Sequence, residues 1–258
     1  MARSDPRLTG GVAVITGAGG GLGRALAVEL SARGMQVVGF GRRADALEET
    51  GALAGARFQP MALDVADSIA VQEGFDRITA QYGAPCLLIN NAAVYPRRDL
   101  LVETPESFMQ SVAINLGGVV ACTHAALQGM VQTGFGRIMT VSTFADIAPL
   151  PASSAYAVSK GAARIYTRAA LADLADRFPD IVLNDWMPGM LATQMGVADG
   201  LPPAQAARWG AELALWHDPA LSGSIFERGR EILPPRSLKG RVKDALMFRR
   251  RTKPRMLD

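Results

Sequence analysis

The chain has little of what usually carries metal, redox or hydrolytic chemistry. Its two cysteines, Cys86 and Cys122, lie in apolar surroundings without the spacing of a metal site or a redox pair, so both read as buried, reduced thiols. Histidine is equally scarce. Only His124 and His217 are present, and with no Gly-x-Ser-x-Gly turn a Ser-His-Asp hydrolase is disfavoured; no metal is required. No apolar run approaches the roughly 18 residues that a membrane span needs. Residues 1–10 are polar and charged, which predicts an unexported, cytoplasmic chain. Ser-rich, Gln-rich and Pro-rich tracts are missing, as are internal repeats, so the 258 residues, 49% hydrophobic, suit one domain around one sizeable core. Arg249-Arg-Arg251 has no interleaved aromatics, which argues against a nucleic-acid partner.

The net charge of +3 conceals an asymmetry: residues 236–258 hold nine Lys or Arg against two Asp, leaving 18 basic and 22 acidic groups before them. The expected organisation is therefore a mildly acidic domain over 1–235 and a basic C-terminal tail over 236–258. Such a run is ordinarily a solvated surface. The sharper alternative is a landing site for an acidic partner, such as a carrier protein bearing the substrate, or for anionic lipid.

Short β-branched or apolar runs recur at Val12–Thr16, Gln36–Phe40, Arg57–Leu63, Cys86–Asn90, Arg137–Ser142 and Ile181–Met187. Helical patterns begin between them near Leu22, Ala44, Ser68, Pro105 and Ser154. This alternation predicts an α/β fold: a doubly wound, Rossmann-type parallel sheet with helices on both faces. Ligands of such sheets bind at the carboxyl ends of the strands. The glycine turn Thr16-Gly-Ala-Gly-Gly-Gly-Leu-Gly23, Asn90, Ser142 and Pro188 all fall at such ends.

Gly17, Gly21 and Gly23 follow an apolar strand and precede a helical pattern, where glycine permits a tight turn, close approach to a pyrophosphate and close helix packing. The helix N-terminus offers free N–H groups to the phosphates, with Gly19, Gly20 and Leu22 as further candidate contacts. At the end of the second strand, where a carboxylate would accept the adenosine ribose hydroxyls, the chain has Arg42 and Arg43. Two guanidinium groups suit a 2′-phosphate, so NADP(H) is favoured over NAD(H). Asp64, followed by Val65, ends the third strand and suits the adenine amine.

Tyr156 and Lys160 stand four apart in a helical pattern and so share one face. Lowering a phenol from about 10 to about 7 needs roughly 4 kcal/mol, and one cation ~4.5 Å away at an effective dielectric of ~20 supplies about that. Lys160 alone is therefore expected to make Tyr156 a usable acid/base.

The Thr-Gly-xxx-Gly-x-Gly turn, Asn90-Asn-Ala-Ala93, Asn115, Tyr156-xxx-Lys160 and Pro188-Gly189 followed by Thr193 together resemble the short-chain dehydrogenase/reductase family, over about Gly10 to Ile232. The resemblance implies an oxidoreductase that interconverts a ketone or aldehyde and an alcohol. Tyr156 would be the general acid/base, Lys160 would lower its pKa and hold the nicotinamide ribose, and Asn115 would help place a relay water. Asn91 and Ala92 would border the cofactor, and the backbone from Pro188 and Gly189 to Thr193 would cup the carboxamide. It further implies a homodimer or homotetramer formed through helices over 105–132 and 154–178.

Thirteen positions before Tyr156, where the family's hydroxyl usually polarises the substrate oxygen, stands Thr143; Ser142 is the alternative if the strand bulges locally. Asp146 stands where a glycine often follows. Only about ten residues separate Thr193 from the next helix near Pro203, too few for paired lid helices, which predicts a wide mouth and a bulky or carrier-tethered substrate. Phe144, Ile147, Met190, Met195 and Trp209 are candidate walls. Arg97 and Arg98 are either solvated or face a substrate carboxylate. Two other readings keep the fold: a cofactor-binding regulator or scaffold, and an isomerase or dehydratase using the same site.

Overall fold

Val12-Ala-Val-Ile-Thr16 is buried along its whole length, as a parallel strand covered on both faces must be. In the computed structural model, which describes residues 4–234 and 253–258, it forms β1 (Val12–Thr16) after a short helix, α1 (Pro6–Thr9). The chain continues through α2 (Gly21–Ala32), β2 (Gln36–Gly41), α3 (Ala44–Ala54), β3 (Phe58–Ala62), α4 (Ser68–Tyr82) and β4 (Leu87–Asn90). Then follow α5 (Pro105–Val112), α6 (Gly118–Thr133), β5 (Gly136–Val141), α7 (Ser154–Leu174), β6 (Ile181–Met187), α8 (Pro203–Leu215), β7 (Ile225–Glu227) and β8 (Arg230–Ile232). Local signals set several starts. Asp67 accepts hydrogen bonds from the Ile69 and Ala70 amides to cap α4, and Thr104 caps α5, which has Pro105 in its first turn.

The sheet runs β3-β2-β1-β4-β5-β6-β7-β8, parallel except for β8. Its order reverses between β1 and β4, which opens a crevice there. One face of the sheet buries Ile15, Met139 and Trp186 against Leu26 and Leu30 of α2 and Ala207 and Ala211 of α8. The other buries Val14, Leu88, Ile138 and Leu183 against Phe75, Cys122, Ala126 and Leu174 of α4, α6 and α7. The doubly wound architecture is as the alternation predicts.

Three features were not foreseen. The expected helix over 105–132 is interrupted by a π-helical turn, Ala113–Gly117, holding Asn115 at its middle. The strands β7 and β8, three residues each, are too short to show a period. Finally, of the expected tail over 236–258, the described part, 253–258, lies back on the domain. Leu257 joins the core, and Arg255 pairs with Glu231 at 2.7 Å. Apolar burial and one ion pair outweigh the solvation of a short charged end. Residues 236–252 of the tail lie outside the described residues.

The stretch Pro105–Thr133 has the length and composition of a membrane span, with a mean hydropathy of 1.2. Here Val119, Cys122, Ala125, Ala126 and Met130 face the protein's own core. Cys86 and Cys122 are both free, and burial pushes their thiols up to about 11 and about 12, which keeps them protonated and unreactive.

Candidate active site

The turn after β1 is built for close approach. Gly17 has φ +71° and Gly21 φ +52°, both left-handed, and a Cβ on Gly23 would fall 2.1 Å from the Gly17 carbonyl oxygen. Gly20 is different: a Cβ there would meet nothing within 4 Å, and as N-cap of α2 it carries no side-chain acceptor. The first amides of α2 thus have no side-chain acceptor from the N-cap, and the space at Gly20 is open, the donor set an anionic phosphate takes. Gly19 packs beside Ala46, and Arg24 ties the turn to α3 through the Gly19 and Ala46 carbonyls and Glu49.

Asn91 fastens the end of β4 to this turn. Its Nδ2 donates to the Thr16 carbonyl at 2.8 Å, while the Asn91 and Ala92 amides both donate to Thr16 Oγ1 at 2.9 Å. Thr193 closes the turn from the other side, its Cγ2 lying 3.3 Å from where a Gly21 Cβ would be. Pro188 ends β6, and Gly189 has φ +87°. Arg42 and Arg43 are exposed just past β2, in no ion pair among the described residues. Asp64 accepts the Ala66 amide at 3.0 Å, and Val65 is buried against Gly118. These groups follow the carboxyl ends of five strands, β1, β2, β3, β4 and β6, and their backbone donors, glycine cradle and exposed guanidinium pair fit a dinucleotide.

At the other end of the crevice, Tyr156 and Lys160 lie one turn apart on α7. Lys160 is buried, and its Nζ donates to the Val141 carbonyl at 2.7 Å. Burial pushes the Lys160 ammonium down to about 8, opposed by the nearby Asp185 carboxylate. Burial raises the Tyr156 phenol; a hydrogen bond with the Thr143 side chain works to lower it, and Tyr95 adds to the rise. The expectation that Lys160 alone depresses Tyr156 is thus not met in the protein by itself. The ammonium is directed at the Val141 carbonyl, and the cost of removing the phenolate from water is the larger effect.

Thr143 and Ser142 are separated by their surroundings. Thr143 Oγ1 accepts the Ala145 amide at 3.2 Å and acts to lower the Tyr156 phenol. The Ser142 hydroxyl is buried, with no partner among the described residues. Asn115 is fully buried in the π-turn. Its Oδ1 accepts the Val94 amide at 2.7 Å, and its Nδ2 donates to the Val94 carbonyl and to Ser159 Oγ, each at 3.0 Å. Its side chain is therefore a brace between the β4 loop and α7. Asp146, where a glycine was expected, pairs with Arg164 of α7 at 2.7 Å and so anchors the loop that carries Thr143.

Sequence reasoning missed Tyr95. Its ring stacks on Tyr156 with centroids 4.5 Å apart and 19° between planes, and the Arg97 guanidinium lies 5.3 Å from its centroid. Arg97, at φ +52°, donates to the Met195 and Gly196 carbonyls at 3.1 and 2.9 Å, so it joins the β4 and β6 loops; Arg98 pairs with Glu103. No spacing rule signals such loop contacts. Of the candidate walls, Phe144 and Ile147 are exposed on the β5 loop and Met190 and Met195 on the β6 loop, whereas Trp209 is half-buried against the core beside Gly229. Helix α8 turns it toward the sheet. No helix lies between Thr193 and Pro203; that loop is closed at its base by Leu191 and Leu201.

Among the described residues no His, Cys, Asp or Glu cluster could hold a metal. The short chain dehydrogenase profile matches residues 11–200. The chain is 33% identical over 190 residues to "Probable oxidoreductase EphD" of Mycobacterium tuberculosis, a match covering 72% of this chain but only 32% of that relative. It is 34% identical to the 2-(R)-hydroxypropyl-CoM dehydrogenase of Xanthobacter autotrophicus, over 71% of this chain and 76% of the relative. With the 3-oxoacyl-(acyl-carrier-protein) reductase FabG of Escherichia coli the identity is 27%, over 72% and 75%.

Proposed function

The chain belongs to the short-chain dehydrogenase/reductase family, whose members are NAD(P)(H) oxidoreductases, and from that premise we propose that it is an NADP(H)-dependent enzyme interconverting a carbonyl and an alcohol. The observation that carries the reading is Tyr156 one helical turn from the buried Lys160 on α7, whose Nζ donates to the Val141 carbonyl two residues before Thr143. The nicotinamide, when bound, supplies or accepts the hydride.

The protein's own groups do the rest. Thr143 and Tyr156 hydrogen-bond the substrate oxygen, and Tyr156 gives its proton to that oxygen as negative charge develops there. In the oxidation direction Tyr156 accepts the proton, and its buried setting makes a nearby cation necessary. Lys160 is the side chain that supplies one, and it holds the nicotinamide ribose. Asn115 keeps the β4 loop and α7 in register beside a relay water. Gly17, Gly19, Gly20, Gly21, Leu22 and Gly23 receive the pyrophosphate, and Arg42 and Arg43 the 2′-phosphate. Asp64 and Val65 border the adenine, Asn91 and Ala92 the ribose, and Pro188, Gly189 and Thr193 the carboxamide.

The substrate is proposed to be bulky or carrier-tethered. Support comes from the absence of lid helices between Thr193 and Pro203 and from exposed Ile147 and Met190 at the mouth. The Escherichia coli relative is named for acyl groups held on such a carrier. The protein is also proposed to be cytoplasmic and a homodimer or homotetramer, since α5, α6 and α7 expose Met109, Val120, Val158 and Ile165. The test is oxidation of NADPH against NADH with a panel of ketones, including carrier-bound acyl groups, at low and high salt. Carbonyl-dependent loss of NADPH absorbance supports the reading. No absorbance change with any carbonyl would turn it toward a cofactor-binding regulator.

A further inference from the structure

Tyr95 lies face to face with Tyr156, ring centroids 4.5 Å apart and planes 19° from parallel. The two rings come from different elements, the loop after β4 and the first turn of α7, and one side chain fixes both backbones. Asn115 takes the amide and the carbonyl of Val94, immediately before Tyr95. Its Nδ2 also donates to Ser159 Oγ, which in turn donates to the Tyr156 carbonyl at 3.1 Å. Beyond Tyr95 the chain turns at Arg97, whose left-handed φ of +52° is uncommon for a residue other than glycine. There the guanidinium lies 5.3 Å from the Tyr95 ring centroid and donates to the Met195 and Gly196 carbonyls of the β6 loop. That loop is itself closed at this point, since the Gly196 amide bonds back to the Thr193 carbonyl and hydroxyl at 3.0 and 3.1 Å.

A phenol on the first turn of a helix has two torsions to fix, and proton transfer to a substrate oxygen tolerates little error in either. A stacked aromatic neighbour restricts the plane of the ring. Because it covers a face and not an edge, it leaves the hydroxyl open to a substrate. Tyr95 is half-buried and Arg97 exposed, so neither fills the core. Holding a long exposed side chain in one geometry costs rotamer entropy, which the two carbonyl bonds and the ring contact offset. We propose that Tyr95 is a positioning residue for the acid/base: its ring fixes the plane of the Tyr156 phenol, and Arg97 holds Tyr95 in place by tying the β4 loop to the β6 loop. The proposal rests on the acid/base role given to Tyr156 above.

Tyr82, Tyr95, Tyr156 and Tyr166 are the chain's four tyrosines, so each ring can be followed singly. Tyrosine labelled with carbon-13 in the ring would be observed by NMR, without cofactor, in the wild-type chain, Tyr95→Phe, Tyr95→Ala and Arg97→Asn, with Tyr156→Phe identifying the Tyr156 signal. Asparagine tolerates a positive φ, so Arg97→Asn removes the guanidinium and leaves the turn. The Tyr156 ring protons should be shifted upfield by the stacked ring in wild type and in Tyr95→Phe. They should move downfield in Tyr95→Ala and, with the Tyr95 ring still present, part of the way in Arg97→Asn. With a carbonyl that the wild type reduces, Tyr95→Ala should lose about tenfold or more in kcat, with the KM for NADPH within about twofold, and Arg97→Asn about threefold in kcat. Tyr95→Phe, which keeps the stack, should recover most of that rate. A Tyr156 signal in Arg97→Asn that superimposes on wild type, or a kcat for Tyr95→Ala equal to that of Tyr95→Phe, would overturn the proposal; if Tyr95→Ala does not fold, Arg97→Asn decides alone. A wild-type chain that reduces no carbonyl would count against the functional reading instead, and the NMR shifts would still decide whether Tyr95 and Arg97 hold the ring.

Discussion

Between β1 and α2 the crevice is lined by backbone, whereas under α7 it is lined by side chains held where charge is costly. The glycine turn has an N-cap, Gly20, with open space around it and no side-chain acceptor, and a Gly23 that cannot be enlarged. The α7 end has a raised phenol, a depressed ammonium and a carboxylate pushed up to about 7. The first region binds by leaving atoms out. The second works by burying groups that each depend on a neighbour, so its properties belong to the cluster and not to single residues.

That contrast can be broken most sharply at Tyr156. Tyr156→Phe should lower turnover about 10³-fold or more, while NADPH affinity by fluorescence titration stays within about twofold. Unchanged turnover would remove the proposed acid/base. Next, Thr143→Val should cost roughly 10²-fold in kcat, whereas Ser142→Ala, losing an unpartnered hydroxyl, should cost less than about threefold. The reverse ranking in steady-state kinetics would move the polarising role to Ser142.

At the backbone end the effects are smaller and fall on binding. Replacing Arg42 and Arg43 together by Ala should raise the NADPH KM by about tenfold or more and leave that for NADH nearly unchanged. Equal effects on both would deny the guanidinium pair its 2′-phosphate. Two glycine variants then separate folding from binding. Gly20→Ala meets no atom within 4 Å and should keep its Tm, yet lose about tenfold in dinucleotide affinity if the pyrophosphate sits there. Gly23→Ala, driven into the Gly17 carbonyl, should lose roughly 1–3 kcal/mol of stability, read as a lower Tm.

The backbone end was the more legible in the sequence, because glycine spacing reports backbone geometry directly. The limits of β1 and β6 coincide with the apolar runs at Val12–Thr16 and Ile181–Met187, for a strand buried on both faces leaves a continuous apolar stretch. The pair Tyr156 and Lys160 was equally visible, since helical spacing places i and i+4 together. Their electrostatics were not. Spacing carries no information on burial, and burial sets the direction of the Tyr156 shift. Tyr95 was invisible for another reason: it reaches Tyr156 from a loop, through a contact that spans 61 positions of chain. The same holds for Arg97, whose carbonyl partners sit in the β6 loop, and for Trp209, which helical context turned inward.

The returning C-terminus governs how the basic segment can be studied. Leu257 fills a core position, its amide donates to the Gly229 carbonyl at 2.7 Å, and the Asp258 amide reaches Glu212 at 2.9 Å. Truncation at residue 235 would therefore strip a buried side chain and Arg255 together with the unwanted positive charge, and any inactivity that followed would report misfolding. Charge-neutralising substitutions at Arg249, Arg250 and Arg251, with the final six residues left intact, isolate the electrostatic question, and an affinity tag belongs at the other terminus.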